Sequence, residues 1–290
     1  MPDFANEAVR NAYLAAGGLA LACGLLSVFV VARRWAFLGE GISHSGFGGA
    51  GTAWLLAVAW PGVFDTPAAP YALVVVFCFA AALAIGTVGG VGGAGGGTGR
   101  VSSDAAIGVF LVASLAWGFV GQHAYAHAFG RNPAGFDNFL YGQIRQIGDA
   151  YTAAAVGVTV VVVACVWLLG KELIAYCFDP LLARTSGIPA TGVHYLLLLL
   201  LTLVIVIGSR IVGSVLVTAL LVLPAVTANL LTGRLGAAFA IAVSVSLGGA
   251  WGGLLLSGLI PAVPAGSMIV LTMFALFVIA FVAAKVRGAA

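Results

Sequence analysis

YTAAAVGVTVVVVACVWLLG, residues 151–170, runs for twenty positions without a charged side chain. About 20 such residues, rising 1.5 Å each, match the hydrocarbon thickness of a bilayer. Comparable apolar stretches lie on either side, at about 12–32, 37–60, 69–87, 104–121, 193–208, 212–231, 236–257 and 266–286. The chain of 290 residues is 62% hydrophobic and 7% charged, against roughly 25% charged in a soluble domain. Such a composition excludes a water-soluble fold. The sequence predicts one all-α integral membrane domain, 1–290, a polytopic bundle of about nine spans.

Sidedness follows from the basic residues, which gather on the cytoplasmic side. With the N-terminus outside, Arg33, Arg34, Arg100, Lys171, Arg184, Arg234, Lys285 and Arg287 fall in the cytoplasm, and Arg10, Arg131, Arg145 and Arg210 outside. The C-terminus is then cytoplasmic. Between two spans lies GTVGGVGGAGGGTG, residues 86–99, nine of whose fourteen residues are glycine. It cannot bury enough side chain to order itself, so 88–100 is expected to be a cytoplasmic linker. Met1 to Asn11 has no basic n-region, and no cleavage pattern follows the first span, so that segment is expected to stay attached. Cys23, Cys78, Cys165 and Cys177 lack metal-binding spacing and read as packing residues. The only lysines, Lys171 and Lys285, precede Glu172 and Val286, so no phosphate-cradling lysine motif is present.

An ionisable group inside a span costs about 2.5–3.5 kcal/mol on insertion scales and marks a functional position by default. That filter leaves Glu40 and His44, in LGEGISHSGFGGAG. Four residues apart on a helix, they share a face and can offer a carboxylate oxygen and an imidazole nitrogen to one cation. The competing reading is a pair that only satisfies itself by hydrogen bonding. Gly41, Ser45 and Gly49 form a small-residue stripe that admits a neighbouring helix. In 211–231, Pro224 removes one backbone hydrogen bond and frees the carbonyl of Leu220, a possible cation ligand, or else a packing kink satisfied by Thr218 or water. Thr227 and Asn229 add polar atoms beside it. His123 and His127, again four apart, suit an outer metal-entry site, with a solvated loop as the alternative. His194, at a span entrance, is expected to snorkel at the interface.

Four stretches, in order, resemble the zinc, manganese and iron permease family of ABC transporters. They are RRWAFLGEGISHSGFGGAG at 33–51, with Glu40 and His44; RVSSDAAIGVF at 100–110, with Asp104 as its acidic residue; KELIAYCFDPLLARTSGIP at 171–189; and the 212–231 stretch containing LPAVTA, 223–228. Pro264-Ala-Gly-Ser fits the start of the family's last span. Glu40 stands where aspartate is common, and Ala262-Val263 replace a frequent acidic residue, which leaves the preferred metal open.

The resemblance implies a membrane subunit in the bacterial cytoplasmic (inner) membrane that carries Zn²⁺, Mn²⁺ or Fe²⁺ as cargo, with no permanently bound cofactor and no nucleic acid. It implies three protein partners: a separate ATPase, an extracytoplasmic metal-binding receptor and a second permease copy, with the ion path between the copies. Two copies of Glu40 and His44 would supply a mixed oxygen and nitrogen set suited to those ions. The segment 171–190, with Lys171, Glu172, Asp179 and Arg184, is then the ATPase-coupling loop. Two other classes are weighed. A proton-coupled secondary carrier would favour inverted repeats, and none is visible. A hydrolase using Ser43 or Ser45 with His44 fails because adjacent helical residues point about 100° apart.

Overall fold

The computed structural model describes residues 6–61, 69–88, 102–133, 148–260 and 263–288. All regular structure among them is helical. The helices are α1 (Glu7–Ala32), α2 (Leu38–Ala59), α3 (Ala69–Val88), α4 (Ser103–Phe129), α5 (Asp149–Phe178), α6 (Pro180–Thr185), α7 (Ala190–Ile211), α8 (Ser214–Leu231), α9 (Leu235–Leu259) and α10 (Ala265–Val286). Each apolar stretch of the sequence coincides with one of the nine long helices. Seven are long and apolar enough to cross a membrane. The other two are α2, whose apolarity is diluted by glycine, Glu40 and His44, and α8, whose apolar part, Leu216–Leu231, is short. The expected linker at 88–100 lies almost wholly outside the described residues.

Lipid provides no hydrogen-bond partners, so backbone groups there must bond within the segment, and helices do so completely. Their ends carry the expected local signals. Asn6 caps α1 by accepting from the Ala8 N–H at 3.0 Å, and Ser102 caps α4 by accepting from Ala105 at 3.2 Å. Between α7 and α8 the chain reverses at Gly213, whose φ of 95° lies where side chains are disfavoured.

Of the seven spanning helices, α1 and α7 are the most buried. The most apolar stretch of α1 is 72% buried and that of α7 61%, against 33% or less in the other five spanning helices. Around α1 pack α5, α7, α8 and α9, and around α2 pack α3, α4, α7 and α8. Two polar clusters mark opposite ends of the bundle. At one end Asn11 donates to Asp149 at 2.6 Å, and the Arg210 guanidinium lies 3.6 Å from the Tyr71 ring centroid and 3.4 Å from the Tyr151 hydroxyl. At the other end Arg33 and His194 meet Tyr176. Thus α1, α3 and α5 start together and α7 returns, as an alternating bundle requires.

Two helices run past their apolar stretches. α4 continues from the expected end near 121 to Phe129 and stops at Gly130, φ 67°, so His123 and His127 sit on a helix rather than a loop. α5 has a non-helical residue, Leu169, where the apolar run ends, but resumes to Phe178. Much of the segment expected as a coupling loop, 171–190, is therefore helical. The four cysteines are free, and the Cys78 thiol lies 3.4 Å from the Ile42 carbonyl, packing α3 on α2.

The small-residue stripe on α2 serves close packing. A Cβ added at Gly49 would stand 2.7 Å from Val74 Cα of α3, one at Gly51 2.6 Å from Gly118 Cα of α4, and Ser114 Oγ of α4 lies 3.4 Å from Ser45 Oγ. Gly51→Val should therefore force α2 and α4 apart and cost about 1–3 kcal/mol. Gly108→Ala, where an added Cβ meets nothing within 4 Å, should not. Thermal unfolding of the two variants in detergent measures the contrast, and equal melting temperatures would refute the close-approach account.

Candidate functional site

Glu40 and His44 lie on the first two turns of α2, at the helix's contact with α8. His44 Nε2 is 2.6 Å from Glu40 Oε1, where the imidazole N–H can donate to the carboxylate. The second carboxylate oxygen, Oε2, accepts from the Thr218 hydroxyl of α8 at 2.8 Å. Thr218 Oγ1 also lies 3.3 Å from the Ser214 carbonyl oxygen one turn earlier. Both oxygens of the carboxylate are thus held, and it is fixed between two helices. The side chains are partly buried, 29% exposed for Glu40 and 17% for His44. Beside them the Ser43 and Ser214 hydroxyls are buried without a hydrogen-bond partner among the described residues.

A cation could sit between the two donors. Ligand bonds of about 2.0–2.2 Å to oxygen or nitrogen require the O···N separation to widen and the Nε2 lone pair to be free, with the imidazole's one proton carried on Nδ1 instead. Thr218 then anchors the free side of the carboxylate, as outer partners of metal ligands do. Among the described residues no group of three or more His, Cys, Asp or Glu side chains gathers around one point. Among the described residues, one chain therefore brings two strong ligands together at this point.

The α8 residues singled out in the sequence divide between two faces. At 100° per residue, Asn229 shares the Thr218 face, although about 16 Å farther along the axis, whereas Leu220, Pro224 and Thr227 lie roughly opposite. Leu220, Pro224 and Thr227 are buried, and Asn229 is exposed. The Thr227 hydroxyl donates to the Leu223 carbonyl at 2.7 Å. The helix continues through Pro224. Thr218, expected only as a partner for a freed carbonyl, proves to be the contact that joins α8 to the pair. Nothing in the local sequence pairs it with Glu40, 178 residues away.

Elsewhere, His123 and His127 are exposed on consecutive turns of α4, and His123 lines a shallow depression of about 580 Å³ with Phe119, Val120, Gln122 and Ala124. Asp104 is exposed in the first turn of α4, where a negative charge suits the helix dipole. Lys171, Asp179 and Arg184 are exposed, while Glu172 is half-buried and one of its oxygens, Oε2, is buried without a hydrogen-bond partner among the described residues. His194 departs from expectation. It is 1% exposed, hydrogen-bonded to Tyr176 and packed on Trp35, so it does not snorkel.

A glycine-packed bundle of apolar helices with a carboxylate–imidazole pair held inside it defines a polytopic membrane protein. The chain belongs to the ABC 3 transport family, whose model matches residues 5–284. It is 31% identical to the manganese transport system membrane protein MntC of Halalkalibacterium halodurans, over 97% of this chain and 88% of that protein. It is 28% identical to a probable iron transport system membrane protein of Haemophilus influenzae, over 97% of this chain and 95% of that one. Among solved structures it is similar to PsaBC from Streptococcus pneumoniae in complex with Fab, with a TM-score of 0.75 and 28% identity over 95% of this chain and 91% of that one.

The faces assigned to α8 can be checked by cross-linking. In a background with the four cysteines replaced, Glu40→Cys with Thr218→Cys should be joined by a short bifunctional thiol reagent, and Glu40→Cys with Leu220→Cys should not. Equal cross-linking of both pairs would contradict this geometry.

Proposed function

We propose that the chain is the membrane-spanning permease of an ATP-driven importer of divalent transition-metal ions, Zn²⁺, Mn²⁺ or Fe²⁺, and that Glu40 and His44 form the transit site. The contact between Glu40, His44 and Thr218 carries the reading. A carboxylate inside a helix bundle is costly, and packing alone would be served by Gln or Leu at position 40. A mixed oxygen and nitrogen donor set suits these cations, and it does not separate one from another. The names of the relatives, a manganese transport system membrane protein and a probable iron transport system membrane protein, support the cargo class.

In this reading nine helices cross the bacterial inner membrane with the N-terminus outside. A second copy completes the coordination by bringing its own Glu40 and His44 to the same ion. A separate receptor delivers the ion, with His123 and His127 as an outer entry point. A separate nucleotide-binding subunit hydrolyses ATP and docks on 171–190 through Lys171, Glu172, Asp179 and Arg184. The exposed charges of that segment, beside the buried Leu173 and Tyr176, support a surface with one face for a partner and one for the bundle. Leu220, Pro224, Thr227 and Asn229 remain a secondary stretch of the path along α8.

Glu40→Gln and His44→Ala should each abolish metal uptake into proteoliposomes while assembly with the ATPase persists. Thr218→Val should weaken uptake at limiting metal by about tenfold, the lower end of the cost of losing an outer-sphere partner, and Thr218→Ser should restore it. Parental uptake by both Glu40→Gln and His44→Ala would make the pair structural.

Charge reversal at Glu172 or Asp179 should lower ATP-driven uptake several-fold without affecting membrane insertion, because the coupling segment lies outside the hydrocarbon. Normal transport and complex stability in both variants would remove the segment from the coupling role.

A further inference from the structure

Three residues far apart in sequence meet where α1 and α5 end and α7 begins. Arg33 follows α1 directly, and its Nη2 donates to the Tyr176 hydroxyl at 3.1 Å. Its guanidinium carbon lies 4.6 Å from the Tyr176 ring centroid and 5.4 Å from that of Trp35. A guanidinium only donates. Tyr176 therefore accepts from Arg33 and can give its own proton to His194 Nδ1, 2.9 Å away. The remaining ring nitrogen, Nε2, then carries a proton and has no hydrogen-bond partner among the described residues. It faces Gly86 of α3, where an added Cβ would stand 3.3 Å away. A buried donor without an acceptor costs stability, and an Arg–Tyr–His chain is an expensive way to fill a helix junction. It is also unsuited to holding a cation, because Arg33 brings positive charge and His194 offers a single nitrogen.

Each member is tied to a different functional part. Tyr176, 0% exposed, belongs to the 171–190 segment, whose inner face, with Leu173 and Ala183, is buried while Lys171, Asp179 and Arg184 face outward. Arg33 and Trp35 flank Arg34, which has φ 58°, a conformation uncommon for any residue but glycine. The Trp35 ring packs edge-on against His194 at 5.5 Å, and its carbonyl accepts from Leu38 N at 2.9 Å, where α2 begins. Glu40 follows two residues later.

We propose that Arg33, Tyr176 and His194 form a mechanical joint that passes movement of the 171–190 segment into α2 and so onto the Glu40–His44–Thr218 contact. The inference rests on the coupling and transit roles assigned above. These three are positioning residues: a shift of Tyr176 pulls on the strained turn at Arg34, and α2, a continuous helix from Leu38, carries that shift to the carboxylate. Tilting α2 against α8 breaks the Thr218 bond and opens the site.

The test uses the complete transporter, with ATPase and receptor, in proteoliposomes. Tyr176→Phe keeps the ring beneath Arg33 and removes the hydroxyl shared by both hydrogen bonds. Ions moved per ATP hydrolysed should fall about five- to thirtyfold, the scale of one or two lost buried hydrogen bonds, while metal binding by the detergent-solubilised complex changes by less than about twofold. His194→Leu should have the same effect, and the double variant should fall no further than either single one. A parental ratio in Tyr176→Phe would overturn the joint, as would loss of metal binding in parallel with transport. Glu40→Gln in the same assay separates the two proposals. If it transports normally the transit site itself is wrong, and if it is inactive while Tyr176→Phe stays fully coupled only the joint is wrong.

Discussion

The close approach of α2 to its neighbours is the constraint on which the site depends. A helix bearing a carboxylate and an imidazole is a poor lipid-facing element, so it must be enclosed by other helices. Enclosure requires backbones nearer than ordinary side chains permit, and Gly49 and Gly51 supply that on α2, as Gly118 and Gly121 do on α4. With α3 and α4 pressed against these glycines, the face bearing Glu40 and His44 is left for α8. The low apolarity that makes α2 an unconvincing span and the burial of its polar pair have one origin: glycine gives up hydrophobic surface to gain proximity.

A second consequence is that the polar pair is held by structure on both sides. Thr218 belongs to a helix that begins at the Gly213 turn, and Glu40 to one that begins just after the Arg34 turn. Each partner therefore sits a turn or so from a backbone reversal, where a small change in helix direction moves a side chain most easily relative to its neighbour.

Much of this was legible in the sequence, and the reasons for the exceptions are physical. Length and apolarity located the helices because lipid leaves the backbone few alternatives, and the rarity of ionisable groups in the apolar stretches singled out Glu40 and His44. In α4 and α5 the helices run beyond the expected spans because apolarity measures where hydrocarbon can lie, whereas a helix stops where caps and packing stop it, at Gly130 and Asp179. From sequence Thr218 is only a local partner, since a threonine in a span commonly bonds its own helix, and its 3.3 Å contact with the Ser214 carbonyl follows that habit. His194 departs from its expected place for a related reason. A histidine at a span entrance is equally compatible with snorkelling and with burial, and its partners, Tyr176 and Trp35, come from other parts of the chain.

The coordination chemistry follows from the same geometry. Two strong donors on one chain are too few for a tetrahedral or octahedral ion, which leaves other positions for water, hydroxyls or another subunit. For a storage site that would be a defect. For a transit site it is an advantage, since an ion held by a complete set of strong protein donors would leave slowly. In the proposed transit site the 2.6 Å contact between Glu40 and His44 would add a second means of release: with no ion bound each donor satisfies the other, so a departing ion would leave no bare carboxylate in the bundle. A pair that can bond either to an ion or to itself lowers the cost of the empty state, and a carrier that must cycle between loaded and empty needs that property more than it needs tight binding.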